Sequence, residues 1–175
     1  METNDLRLNA HAQRLILEKQ AWEKLSKEFP WDEKLIEQYK KEIDWSAISE
    51  NINMRWSTSM LEKYAHFIDW NLLSDLSEEY LFSFTNLAKF KDYWNWSRLS
   101  SNYAIKFSYG IIDAFVNKWD WEELINNGYR LDHIYNENFL SKYNQYIPAS
   151  DLQSSELWQK IVELKTDELT ATILT

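Results

Sequence analysis

The sequence predicts an all-α fold, an α-solenoid of about five long-helix/short-helix repeats closed by N- and C-terminal capping helices. Three observations predict it. An acid or Asn followed by Trp recurs at Asp44-Trp45, Asp69-Trp70, Asn95-Trp96 and Asp120-Trp121, with spacings of 25, 26 and 25 residues. A ring followed by a short polar residue recurs in the same register, at Trp31-Asp32, Trp56-Ser57, Phe82-Ser83 and Phe107-Ser108. The apolar residues between these marks follow offsets of three and four rather than alternation, so they describe helices and not strands.

The elements follow in chain order. Residues 1–30 form an N-terminal cap, because Trp22-Glu23-Lys24-Leu25-Ser26 matches the tail of a repeat. Repeats occupy 31–55, 56–81, 82–106, 107–134 and 135–153, and 154–175 supply a C-terminal cap helix and tail, all in one domain. In each repeat the polar residue after the first ring is a helix N-cap, since its side-chain oxygen can accept from the open N–H groups of the first turn. The columns Ile36/Leu61/Leu87/Ile112, Tyr39/Tyr64/Phe90/Phe115 and Ile43/Ile68/Trp94/Trp119 then give the apolar stripe of a helix of about three turns. Asp44, Asp69, Asn95 and Asp120 cap a second, shorter helix carrying Trp and then Ile48, Leu73, Leu99 or Leu124. The fifth copy aligns Leu140, Tyr143, Ile147 and Leu152, with Pro148-Ala149 in place of the Asp-Trp pair. Asn51, Asn102 and Asn127 share a column just past the short helix, where left-handed backbone would let Asn stand in for Gly.

Composition bounds the chemistry. The 175 residues suit one domain of ordinary size. With no Cys, thiolate metal sites, disulfides and thiol catalysis are excluded. No apolar run approaches a membrane span, and the opening METNDLRLNAHAQR lacks the order of a secretion signal, so a cytoplasmic monomer is expected. The formal charge of −9 is uneven: residues 31–81 carry 5 basic and 11 acidic side chains, whereas 82–134 carry 6 of each. An acidic chain without a basic run is poorly suited to phosphate backbones and better suited to a basic protein surface.

The unit written out as Trp31-Asp32-Glu33-Lys34-Leu35-Ile36 and onward to Asp44-Trp45-Ser46-Ala47-Ile48-Ser49, and again from Trp56 to Ser74, resembles the Trp-rich tandem helical repeats of poorly characterised bacterial and viral proteins. The resemblance spans roughly residues 22–153 and implies a helical repeat scaffold; it brings no catalytic residue with it.

The register sorts the aromatic residues. Rings in the repeating columns read as core between copies. Phe84 and Tyr109, which share an offset in adjacent repeats, and Tyr80, Tyr103 and Tyr129 between repeats are left as candidate contact residues. Glu50 and Asp75 share another offset, and with Glu42, Glu78 and Glu79 they predict an acidic edge. No catalytic residue, cofactor or metal is expected: His11, His66 and His133 are scattered, the only glycines are Gly110 and Gly128, and no phosphate loop is possible. The expected function is therefore non-catalytic binding of a macromolecule. In its sharpest form this is a small acidic inhibitor of a protein with a basic surface: a phage-encoded antagonist of a bacterial nuclease or CRISPR effector, or a toxin-neutralising immunity protein. The alternative is an RNA-binding repeat protein that uses the loop rings with Arg98, Lys106 and Arg130.

Overall fold

A computed structural model describes the backbone of residues 2–173 and side chains from Asn9 onward. Every regular element in it is a helix. The chain packs as two compact units, Met1–Leu76 and Ser77–Thr175.

Unit 1 begins with the long helix α1 (Glu2–Glu28) and continues with α2 (Glu33–Tyr39), α3 (Trp45–Ser49), α4 (Thr58–Tyr64) and α5 (Trp70–Leu73). Helix α3 packs on α1 and on α5. Unit 2 opens with a 3-10 turn (Glu79–Phe82), followed by α6 (Phe84–Lys89), α7 (Trp96–Ser101), α8 (Tyr109–Ala114) and α9 (Trp121–Leu124). It closes with α10 (Gly128–Leu131), α11 (Glu137–Tyr143), α12 (Ala149–Leu152) and the 18-residue α13 (Glu156–Ile173).

The capping chemistry is where the register puts it. Asp32, Ser57, Ser83, Ser108 and Asn136 each accept from a first-turn N–H of the longer helix of their copy. Asp44, Asp69, Asn95 and Asp120 do the same for the short helices. The longer helices are about two turns, six or seven residues, rather than three. The stripe survives because the ring-column carbonyl still accepts across the following turn, as in Ile43 N–H to Tyr39 O, 3.0 Å, and Ile68 N–H to Tyr64 O, 3.2 Å. Short insertions between copies also form one-turn elements, so Tyr80 lies in the 3-10 turn and Tyr129 in α10 rather than in open loops.

Each Trp of the Asp-Trp pair ties its short helix to the end of the longer one. The indole N–H donates to a carbonyl five residues back: Trp45 to Lys40 (3.1 Å), Trp70 to Ala65 (2.8 Å), Trp96 to Lys91 (2.8 Å) and Trp121 to Val116 (3.1 Å). The C-terminal carbonyls of a helix have no partner within it, so an indole here satisfies two orphan groups at once. Trp70, Trp96 and Trp121 are buried and Trp45 half-buried, which makes this column core.

A buried serine four residues after the Trp joins one copy to the next. Ser49 and Ser100 each donate to their own Trp carbonyl, at 2.6 and 2.7 Å. Each also accepts, at 2.9 Å, from the backbone N–H of the next copy's cap residue, Asp69 or Asp120. Ser26 receives Asp44 N–H in the same way. In the fourth copy Ile125 takes the serine's place, and the residue it would serve is Pro148, which has no N–H. Hydroxyl and amide disappear together, leaving no buried orphan.

The Asn column does not adopt left-handed backbone; no described residue has a positive φ. Asn102 sits at φ −74° and Asn127 at φ −97°. Their value lies in the side chain: Asn51 Nδ2 donates to the Ser26 and Phe29 carbonyls, both at 2.8 Å, and Asn127 Nδ2 donates to the Ser100 carbonyl at 3.0 Å. These buried amides bridge copies, which is why Gly cannot replace them. In the fifth copy Leu140 keeps the column's backbone bond, its N–H to Asn136 O at 3.1 Å, but the burial moves to its neighbour: Phe139 is the fully buried residue and Leu140 is half-exposed.

Candidate functional site

The predicted contact residues fall into different environments. In unit 1, α3 and α5 pack together, so Glu50 and Asp75 follow one edge. Glu50 is paired with Lys27 at 2.9 Å, while Glu42 and Asp75 are exposed. Much of this unit's acidity has a structural use. Asp32, Asp44 and Asp69 are caps, and Glu33 and Glu37 hold Lys63 at 3.1 and 3.2 Å. Hydrogen bonds from Lys40, Lys63 and the Tyr64 hydroxyl, in that order, pull the Glu37 carboxyl down to about 2. Glu78 and Glu79 belong to unit 2, where Glu79 is ion-paired with Lys106.

Phe84 and Tyr109 are partly absorbed by packing within unit 2. Phe84 lies 5.8 Å from the Phe115 ring, and Tyr109 stacks on Tyr143 at 6.2 Å with an interplanar angle of 19°. Lys142 sits 5.2 Å from both rings of that second pair and is bonded to Asp113 at 2.7 Å. The Tyr143 hydroxyl donates to Asp113 at 2.8 Å. Tyr64, Lys63 and Glu37 repeat this arrangement in unit 1, with the hydroxyl donating to Glu37 at 3.1 Å. Both clusters are rungs between copies.

What is left outward is a group on the loop edge of unit 2. Tyr103 follows α7 and Tyr129 sits in α10; their rings meet edge to face at 6.3 Å and are 53% and 82% exposed. The Arg130 guanidinium lies over the Tyr129 ring, 5.4 Å from its centroid, and its Nε donates to the Tyr103 carbonyl. The Tyr103 hydroxyl is bonded to Ser77 Oγ. Tyr80, at the start of the same unit, is marginally exposed. Lys106, Tyr129, Arg130 and His133 line an open cleft of about 290 Å³ floored by Ile105 and Phe107.

Sequence reasoning singles out Tyr103, Tyr129, Lys106 and Arg130 but does not join them. The signal that could have done so is the 26- and 24-residue spacing of Tyr103-Tyr129 and Lys106-Arg130, close to one repeat. Ile52 and Phe67, both strongly exposed in unit 1, were not singled out. Among the described residues, no group of three or more His, Asp or Glu is placed to hold a metal ion, and no helix is long and apolar enough to cross a membrane. No family model matches the chain, nor does any curated protein or solved structure.

Proposed function

We propose that this chain is a non-catalytic binding protein that recognises another protein through the loop edge of its repeats, in the manner of a small stoichiometric inhibitor in the cytoplasm. The observation that carries this reading is the Tyr103-Tyr129-Arg130 group: two exposed rings that meet edge to face and a guanidinium bonded to the backbone beside them. Tyr and Arg are the side chains most often found at the energetic centre of protein interfaces. The formal charge of −9 extends the reading to a partner with a basic surface, the class that includes a bacterial nuclease, a CRISPR effector or a toxin.

RNA is the second reading, favoured by the same rings beside Lys106 and Arg130, because exposed aromatic faces and cations are the parts of a single-strand site. A pull-down with the tagged full chain, with and without ribonuclease, separates the two. The protein reading expects a partner that survives ribonuclease at a fixed stoichiometry and is lost from the Tyr103→Ala/Tyr129→Ala variant. Loss of the partner on RNA removal, or its retention by the double variant, overturns it.

A further inference from the structure

We propose that the cleft on unit 2 docks an acidic segment of the partner protein, with Arg130 as the fork that takes its carboxylate. The proposal rests on reading the chain as a protein-binding module, and it adds the chemistry of one contact.

Arg130 is held on two sides. Its Nε is spent on the Tyr103 carbonyl, and its Cζ lies over the Tyr129 ring, 5.4 Å from the centroid. Its two terminal nitrogens make no hydrogen bond to any described residue. A guanidinium fixed in this way presents its remaining N–H pair with little entropy left to lose, and that pair matches a carboxylate's two oxygens. Lys106 supplies a second cation in the same cleft, and its present counter-ion is the Glu79 carboxylate. One of the cleft's two cations therefore already pairs with a protein carboxylate. His133 completes the polar wall, and the exposed Tyr129 ring offers apolar surface beside it, backed by the buried Ile105 and Phe107. An acid flanked by a bulky apolar or aromatic residue fits all of these features.

Charge favours a short acidic segment over a nucleic acid. Residues 77–175 carry 9 basic and 14 acidic side chains, so a strand with one charge per nucleotide is repelled by the acidic surroundings along its length. One or two carboxylates placed within the cleft are dominated by the nearest cations instead, because charges beyond about 8 Å are largely screened at physiological salt. Glu79 then acts as an internal competitor: an incoming carboxylate reaches Lys106 fully only when Glu79 gives way.

The test is fluorescence anisotropy on the full chain with three labelled probes: an otherwise uncharged peptide with two glutamates beside one tyrosine, the same peptide with glutamines, and a uridine decanucleotide. The acidic peptide is expected to bind saturably and the glutamine peptide to bind about tenfold more weakly. Arg130→Ala should weaken the acidic peptide about tenfold and Arg130→Lys should recover little of that loss, because the fork rather than the charge is missing. Glu79→Gln should tighten binding by about threefold, as one competing carboxylate is removed. Melting curves of each variant check that the fold is intact. Undiminished binding by Arg130→Ala, no binding even by Glu79→Gln, or tighter binding of the oligonucleotide overturns the proposal. If the peptide fails while the tyrosine double variant still loses its partner in the pull-down, the cleft chemistry is wrong and the protein-binding reading stands.

Discussion

Units 1 and 2 use the same repeat chemistry but finish the same loop differently. After the buried Asn that follows the short helix, unit 1 places Ile52 in solvent, 71% exposed, and unit 2 places Tyr103. In unit 1 the loop is then tied down by neutral amides: Asn53 N–H donates to Asn51 Oδ1 at 2.8 Å, and Asn53 Nδ2 donates to the Glu28 carbonyl at 3.0 Å. In unit 2, Ala104 N–H donates to Asn102 Oδ1 at 2.7 Å, but the tie to the next copy is Arg130 on the Tyr103 carbonyl. A loop closed by an amide has spent its polar groups. A loop closed by a guanidinium keeps donors in reserve, and the comparison teaches that exposed donors can be added to a repeat by changing the residues that staple its loop without touching its core.

The strongest way to break this comparison is to show that the shared core is not shared. Trp70→Ala in unit 1 and Trp121→Ala in unit 2 should each cost roughly 3–5 kcal/mol in chemical denaturation, since each removes a buried ring. A neutral result in either unit would mean that the column is not core there. Next in size, Ser49→Ala and Ser100→Ala should each cost about 1–3 kcal/mol, because a buried amide of the next copy loses its acceptor. Asn51→Gly should cost a comparable amount, roughly 1–3 kcal/mol, from the two stranded carbonyls. A stabilising effect there would instead support left-handed backbone at that position. The smallest effect is electrostatic and sharpens the contrast between the units. The Glu37 carboxyl is depressed by the hydrogen bonds from Lys40, Lys63 and Tyr64, so its contribution is complete above the ordinary value of 4.5 and is lost as pH falls toward about 2. The Asp113 carboxyl in unit 2 is lowered by Lys142 first and the Tyr143 hydroxyl second, which gives the same sign. Melting temperatures followed from pH 6 to pH 2 should therefore fall less steeply in Glu37→Gln than in the unaltered chain.

Much of this fold can be read from the sequence because its caps and core columns are local. An Asp or Ser at a helix start bonds a residue two or three positions away, and that relation is visible in one dimension, as is the three-and-four spacing of the stripe. The role of the Asn column is not visible in this way. Asn51 and Asn127 act on carbonyls 25 and 27 residues away, and nothing in a single copy distinguishes such a bridge from a turn former. The candidate site is legible as parts only. Tyr103 and Tyr129 are named by their failure to fit the columns and Arg130 as a cation of the charge-balanced stretch, but the guanidinium over the ring depends on α10, a helical turn that composition does not announce. The acidity of residues 31–81 is legible as a count but not as a surface. Counting carboxylates overstates what is free, because caps and lysines claim many of them.

The serine that links one copy to the next has a further consequence for how such a chain can change length. The first copy carries both halves of the joint, the Ser49 hydroxyl at its end and the Asp44 backbone amide at its start, so a cassette of this kind inserted between Ser49 and Asp69 in register would bring a matching socket and plug. Growth by duplication is thus chemically self-consistent at this joint and at the one between Ser100 and Asp120. The Ile125 and Pro148 pair is blank on both halves, so a copy bearing a serine and an aspartate finds no complement there. That joint acts as a stop codon written in side chains, marking where the array can no longer be extended by simple repetition.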